Sequence, residues 1–241
     1  MPGSADWKAL ADRLTGTLHL TTAPIGIAFS SEAPPDVPAF DAPMPSPSPD
    51  GRTGRVPAGC VFWVHAAAKV FTTETADHGN CSVGSFTHGL RSAEEVAGNG
   101  DVAALVGSGW APETLLSVLP QVSGRPSHVT YGPLASFPGN PDVVMIRLNG
   151  KQLMVLSDAE PDMLIEGKPQ CHIIPLARER QQVAASVGCM LSRVRTGMPS
   201  TEMTCAIPAA RLAEVVEKLE RTNSIDSVVA QYASEDAVRF G

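Results

Sequence analysis

The 241-residue sequence is poor in aromatic and in charged residues. Aromatic side chains make up 5% of it, which disfavours a surface on which bases or sugars stack. Charged residues account for 18%, and the formal net charge is −7, so the basic surface of a general nucleic-acid-binding protein is not expected. We therefore expect no nucleic-acid partner.

Long apolar runs are also missing. No stretch of 18 apolar residues occurs, so the sequence predicts no membrane span. Lys8, Asp12 and Arg13 interrupt the N-terminal region where a secretory signal would be continuously apolar. We therefore expect a cytoplasmic protein. In that compartment its five cysteines would stay reduced, and would act as core residues, metal ligands or catalytic groups rather than form disulfides.

The common catalytic signatures are absent as well. The sequence contains no phosphate-binding loop with Gly-Lys, no Gly-x-Ser-x-Gly elbow, no His-Glu-x-x-His pair and no Gly-x-Gly-x-x-Gly turn. No two cysteines form a Cys-x-x-Cys pair, the spacing typical of zinc ribbons and of many iron–sulfur proteins. The cysteines and their neighbours remain as the candidates for chemistry.

Hydrophobic residues make up 43% of the chain, which is enough to form a core. Helix-like and strand-like segments are mixed without strict alternation, which predicts one α+β domain over residues 1–241, with short strands, several helices and long Pro/Gly-rich loops. Residues 33–58 contain eight of the 21 prolines. Since proline disrupts helices and central strands, we expect a surface excursion there.

Local patterns give further expectations for the fold. Residues 5–18 show the spacing of an amphipathic helix, and an apolar helix is expected from Cys60 to Phe71. Residues 75–90 are rich in Gly, Asn, Ser and Thr, which predicts a loop. A helix is expected after Pro208, followed by a separate last helix over 224–232.

The five cysteines fall into two groups. Cys205 lies in an alternating segment with Met203 and Ile207, which predicts a packed thiol on the buried face of a strand. The other four lie at element boundaries, where side chains converge on sites more often than on cores. They are Cys60, Cys81, Cys171 and Cys189. Their spacing is compatible both with a soft-metal site gathered by the fold and with four unrelated thiols.

An ordered series of short motifs extends over most of the chain. It begins with Pro24-Ile25-Gly26-Ile27-Ala28-Phe29, Cys60 at the start of an Ala-rich helix, and Asn80-Cys81-Ser82-Val83-Gly84 followed by Gly89-Leu90. It continues with Tyr131-Gly132-Pro133-Leu134, Pro141-Asp142-Val143-Val144, Cys171, Ser186-Val187-Gly188-Cys189 and Glu202-Met203-Thr204-Cys205-Ala206-Ile207-Pro208. In this series, over residues 5–225, the chain resembles the bacterial and archaeal family called domain of unknown function 169 (DUF169).

The resemblance implies one shared site. In that family the counterparts of Cys60, Cys81, Cys171 and Cys189 recur as cysteines, whereas the counterpart of Cys205 usually does not. With the resemblance we expect a [4Fe–4S] cluster held by these four cysteines and acting in redox or Lewis-acid chemistry. Two alternatives stay open. One is a zinc-binding or ligand-binding module without catalysis, and the other is an enzyme in which Cys81 or Cys60 is a nucleophile and His78 its base.

Residues beside the cysteines complete the hypothesis. Asp77 and His78 precede Cys81 and are expected to act in catalysis, His78 as a proton donor or a further ligand. Arg193 and Arg195 follow Cys189 and are expected to bind the cofactor or an anionic substrate. His88 and His172 are less favoured candidates. The expected partner is a small-molecule substrate or an electron-transfer protein, and a homo-oligomer is compatible with the sequence.

Overall fold

The computed structural model describes residues 6–41, 54–167 and 169–240. Residues 42–53, the middle of the proline-rich 33–58 segment, lie outside the described residues. The described α-helices are α1 (Trp7–Leu18), α2 (Cys60–Ala66), α3 (Ser82–Thr87), α4 (Ala93–Ala97), α5 (Gly100–Gly107), α6 (Leu115–Val118), α7 (Gly150–Ala159), α8 (Ile173–Arg180), α9 (Met190–Thr196) and α10 (Leu212–Phe240). The strands are β1 (Ile25–Ser30), β2 (Phe71–Glu74), β3 (His128–Pro133), β4 (Val143–Asn149), β5 (Leu164–Glu166), β6 (Ala184–Ser186) and β7 (Glu202–Pro208).

The strands form one mixed sheet in the order β2-β3-β1-β4-β7-β6-β5. Neighbouring strands are antiparallel except for β5 and β6, which are parallel. The longest ladder joins β4 to β7 and pairs Val143 with Pro208 at one end and Asn149 with Glu202 at the other. The expectation of an α+β fold is confirmed.

The two faces of the sheet carry separate hydrophobic cores because side chains alternate along a strand. On β4, Val144, Ile146 and Leu148 pack into the core formed with α1, α7 and α10. Val143 and Met145 point to the opposite face and pack into the core formed with α2 and α8. We call these the α10 face and the α2 face. The candidate site lies on the α2 face.

Two local expectations on the α2 face are wrong. The helix that begins at Cys60 ends at Ala66, and Phe71–Glu74 forms β2, since this segment pairs with β3. Residues 75–90 are not an open loop, because they contain a 3-10 turn (Thr75–His78) and α3, whose six residues are all buried. Packing against neighbouring segments overrides the weak helix propensity of these small residues.

The expected break before the last helix is also absent. The helix α10 runs without interruption from Leu212 to Phe240, because no proline or glycine occurs in this range. None of the helices in the described part of the chain, α10 included, is long and apolar enough to cross a membrane.

Candidate functional site

A cavity of about 310 Å³ opens on the α2 face, and four cysteines line it. Each comes from a different segment: Cys60 is the first residue of α2, Cys81 directly precedes α3, Cys171 lies in the turn before α8, and Cys189 directly precedes α9. The structure therefore gathers residues that are separated by 21, 90 and 18 positions in the sequence. Cys205 lies in the core of the α10 face and is fully buried there.

The remaining wall of the cavity is mainly apolar. Two tryptophans and four aliphatic side chains belong to this surface: Trp63, Val83, Ala104, Leu105, Trp110 and Leu191. A volume of this size is at the lower end of the range of roughly 300–1,000 Å³ typical of small-molecule sites. The cavity thus combines a cysteine-rich region with a water-excluding surface.

Asn80 holds the first two cysteine segments together. Its side-chain Nδ2 donates to the carbonyl oxygens of Gly54 and Val56, each at 2.9 Å, and its Oδ1 accepts from the Gly54 N–H at 3.1 Å. The segment before α2 is thereby fixed beside the residue that precedes Cys81. Because Cys60 follows Val56 by only four residues, these hydrogen bonds of Asn80 hold Cys60 near Cys81.

Hydrogen-bond donors surround the sulfur atoms. Backbone N–H groups of Gly59 and Gly84 point at Cys81, and the Cys189 Sγ accepts from the Ser192 N–H at 3.4 Å. Such donors stabilise metal-bound thiolates.

Without a cation, the thiols of Cys60, Cys81 and Cys171 stay protonated. Burial, and secondly the neighbouring charge of Cys81, raises the pKa of Cys60 to about 12. Burial also raises the pKa of Cys81, and it raises that of Cys171 well above its ordinary value. Since several of these shifts include repulsion between cysteines, the sulfurs lie close enough to interact as charges. A bound cation would offset that repulsion and favour the thiolate forms.

Asp77 and His78 lie outside the wall of this cavity. The Oδ1 of Asp77 accepts from Arg55 Nε at 3.0 Å, and its Oδ2 accepts from the Glu74 N–H at 2.9 Å, which closes a capping box. The ring of His78 is bonded through Nε2 to the Thr73 hydroxyl at 3.0 Å, and burial lowers its pKa well below 6.5. Both residues connect β2 to the turn before Cys81, and neither lines the cavity. The Nδ1 of His78 has no hydrogen-bond partner among the described residues, and it lies 3.4 Å from the position of a Cβ on the wall residue Gly59.

The two arginines have different surroundings. The guanidinium of Arg193 donates to the carbonyl oxygens of Val187 at 2.6 Å, Pro199 at 2.9 Å and Glu202 at 2.9 Å. It fastens α9 to β7 and does not line the cavity. Arg195 lines the cavity and donates to the Pro57 carbonyl, so it alone of the pair is placed to face a bound group.

His88 and Gln170 are wall residues that sequence reasoning did not favour or did not name. The sequence favours His78 because it lies three residues before Cys81. In a helix, positions 81, 84 and 88 share one face, and that spacing would have placed His88 on the same side as Cys81. His172 lies 3.7 Å from Glu166 and does not line the cavity.

The four cysteines do not form a compact single-ion site. In residues 6–41, 54–167 and 169–240, no group of three or more His, Cys, Asp or Glu side chains is arranged to hold one metal ion. The sulfurs are instead distributed around the cavity wall. This geometry distinguishes a shared cavity from a preformed tetrahedral site.

Searches among curated proteins and among solved structures find no match to this chain. A family model does match, and it covers residues 13–218 of the 241. This range includes all five cysteines and every residue of the cavity wall. The matching family is described as uncharacterised ArCR, and the chain belongs to it: it is a member of the DUF169 family.

Proposed function

We propose that the protein is an iron–sulfur protein in which Cys60, Cys81, Cys171 and Cys189 hold a [4Fe–4S] cluster. The cluster would act in redox or Lewis-acid chemistry on a small molecule. One observation carries the proposal: cysteines from four separate segments line one cavity, whereas the fifth, Cys205, is packed on the opposite face of the sheet.

The distribution of the sulfurs favours a cluster over zinc. Zinc draws four ligands to within about 2.3 Å of a single point. In a cluster each iron takes its own thiolate, so the ligands are spread around a larger body. Cysteines that share a cavity wall without forming a compact single-ion group suit the second arrangement better. Iron–sulfur clusters also prefer the all-sulfur donor set that the four cysteines supply.

The chain's own groups would support such a cofactor. The N–H groups of Gly59, Gly84 and Ser192 aim at cysteine sulfurs and would offset the negative charge of the thiolates. The apolar wall would limit access of water. When bound, the cluster would supply electron transfer if all four cysteines are ligands, and a Lewis-acidic iron if one is not.

The alternative of a cysteine nucleophile has less support. A nucleophilic thiol needs a depressed pKa or an adjacent base. Burial raises the pKa of both Cys60 and Cys81, and the proposed base, His78, does not line the cavity.

Anaerobic reconstitution with iron and sulfide tests the proposal. We expect a brown protein that absorbs near 400 nm, with about four irons and four sulfides per chain. Cys60→Ser, Cys81→Ser and Cys189→Ser should each lower the iron content, because an alkoxide is a poor substitute for a soft thiolate. The matched control is Cys205→Ala, which should retain full iron. A colourless protein with one zinc per chain, or iron loss only in Cys205→Ala, would contradict the proposal.

A further inference from the structure

Four buried polar side-chain atoms in the cavity wall have no hydrogen-bond partner among the described residues: Nε1 of Trp63, Nε2 of His88, Oε1 of Gln170 and Oγ of Ser192. Two of them act only as acceptors, Nε2 of His88 and Oε1 of Gln170, on side chains that are 2% and 3% exposed. A buried polar atom without a partner is costly, so such atoms in native structures mark places where a ligand or an ordered water binds. Neither atom is needed by the ligand set proposed above.

The hydrogen bonding of His88 fixes which nitrogen carries the proton. Its Nδ1 lies 2.8 Å from the carbonyl oxygen of Gly84, which can only accept, so Nδ1 is the donor. Burial lowers the pKa of His88 to about 4, and the ring is therefore neutral near pH 7. Contacts with the rings of Phe29 and Trp63, at centroid distances of 5.7 Å and 6.4 Å, fix its orientation. Nε2 is thus unprotonated, and its lone pair can accept a hydrogen bond from an N–H or O–H group of a ligand.

Gln170 presents its oxygen beside the last cysteine segment. Its Oε1 lies 3.2 Å from the position that a Cβ on Gly188 would occupy. Gly188 also has a φ of +92°, a conformation that residues with a side chain rarely adopt. The absence of a side chain at Gly188 leaves Oε1 uncovered on the side of the last cysteine segment. Gln170 itself lines the cavity.

The charged groups of the wall already have partners. Arg195 donates to the Pro57 carbonyl, and the carboxylate of Asp101 accepts from the N–H and the hydroxyl of Ser82 at 3.0 Å and 2.7 Å. The rest of the wall is largely apolar, so a bound molecule would contact mainly apolar side chains.

We propose that this cavity binds, beside the cysteines, a mainly apolar small molecule with two N–H or O–H donors, one hydrogen-bonded to His88 Nε2 and one to Gln170 Oε1. The inference rests on the proposed function in one respect only, since this molecule would be the substrate of the cysteine site. His88 and Gln170 are then the residues that decide which molecules bind.

Matched aromatic probes test the donor requirement directly. Resorcinol carries two O–H donors, and 1,3-dimethoxybenzene has the same ring without them. Ligand-observed NMR titrations on the full chain should show that resorcinol binds at least about tenfold more tightly, the effect of leaving a buried acceptor unpaired. His88→Phe and Gln170→Leu should each reduce this ratio several-fold. His65→Phe and Gln121→Leu, at positions outside the cavity wall, should leave it unchanged.

A spectroscopic readout does not depend on the variants folding. In protein labelled with ¹⁵N-histidine, the Nε2 resonance of His88 should shift when resorcinol is added and should stay in place with 1,3-dimethoxybenzene. Equal binding of the two probes, or no shift at Nε2, would show that the acceptors face only water and would overturn the inference.

Iron content separates this inference from the proposed function. His88→Phe and Gln170→Leu should bind as much iron as the unmodified protein. Loss of iron in His88→Phe would make His88 a cluster ligand and refute its role in ligand recognition. Selective probe binding by a protein that takes up no iron would support the inference and refute the iron–sulfur proposal. An iron-loaded protein without probe selectivity would support the iron–sulfur proposal and refute the inference.

Discussion

Replacing Gly84 with alanine should damage the cysteine site without unfolding the protein. Gly84 lies within α3 and does not have a positive φ, so alanine is compatible with its backbone conformation. A Cβ at this position would lie 2.8 Å from the Sγ of Cys81. Ordinary contacts begin near 3.4 Å, so the sulfur would have to move by about 0.6 Å. Metal sites tolerate displacements of only about 0.5 Å.

The substitution has two opposing effects on the free energy of unfolding, one from helix propensity and one from packing. Alanine is favoured over glycine in a helix by about 1 kcal/mol. Overpacking a buried position costs roughly 1–3 kcal/mol. The free energy of unfolding should therefore fall by no more than about 2 kcal/mol, which leaves a folded protein. The displaced sulfur should nevertheless reduce iron binding strongly.

The assay is the content of iron and acid-labile sulfide per chain after anaerobic reconstitution. Thermal unfolding measures the change in stability. Gly107→Ala is the matched control, because Gly107 is also helical and a Cβ there would meet no atom within 4 Å. The control should keep full iron. If Gly84→Ala binds iron as well as the control does, the position of the Cys81 sulfur in this structure is not the one that the cofactor needs.

Three further predictions concern single thiols and one histidine. Cys205→Ala should destabilise the protein by about 1 kcal/mol in denaturant unfolding, since it removes one atom from a fully buried position, and a loss above about 4 kcal/mol would contradict simple packing. Because burial lowers the pKa of His88 to about 4, the unfolded chain binds a proton below about pH 6.5 that the native protein does not. The free energy of unfolding should therefore fall as the pH drops from 6.5 towards 4. In His88→Phe this fall should be shallower by up to about 1.4 kcal/mol per pH unit. Equal slopes of unfolding free energy against pH in the two proteins would be evidence against a buried neutral ring. Burial raises the pKa values of Cys60 and Cys81, so few of these thiols are ionised at pH 8. Iodoacetamide should therefore alkylate them on the order of 100-fold more slowly in metal-free native protein than in urea. Rapid modification of either thiol in the native protein would support the nucleophile alternative.

The local parts of the fold follow from short-range patterns. The spacing of apolar residues over 5–18 predicts α1, and alternation over 202–207 predicts β7 and the burial of Cys205. Both patterns work because the side-chain period of a helix or a strand decides which residues share a face. The α+β class follows from the same information.

The segment 75–90 shows where such patterns fail. Its Gly, Ser and Thr residues have weak helix propensity, and α3 forms because its neighbours bury all six of its residues. His88, at the end of α3, lies in the cavity wall, whereas His78, in the turn before Cys81, does not. The position of His88 in the wall depends on the helical register of α3, which propensity alone does not predict.

The sequence by itself marked four cysteines as different from the fifth, because each of the four stands at the boundary of an element. It did not determine that they share a cavity. That arrangement depends on contacts between distant segments, such as the bonds from Asn80 to Gly54 and Val56. Only the tertiary structure decides such contacts, because no local periodicity links positions that are 18 to 90 residues apart and the folded backbone alone brings them together.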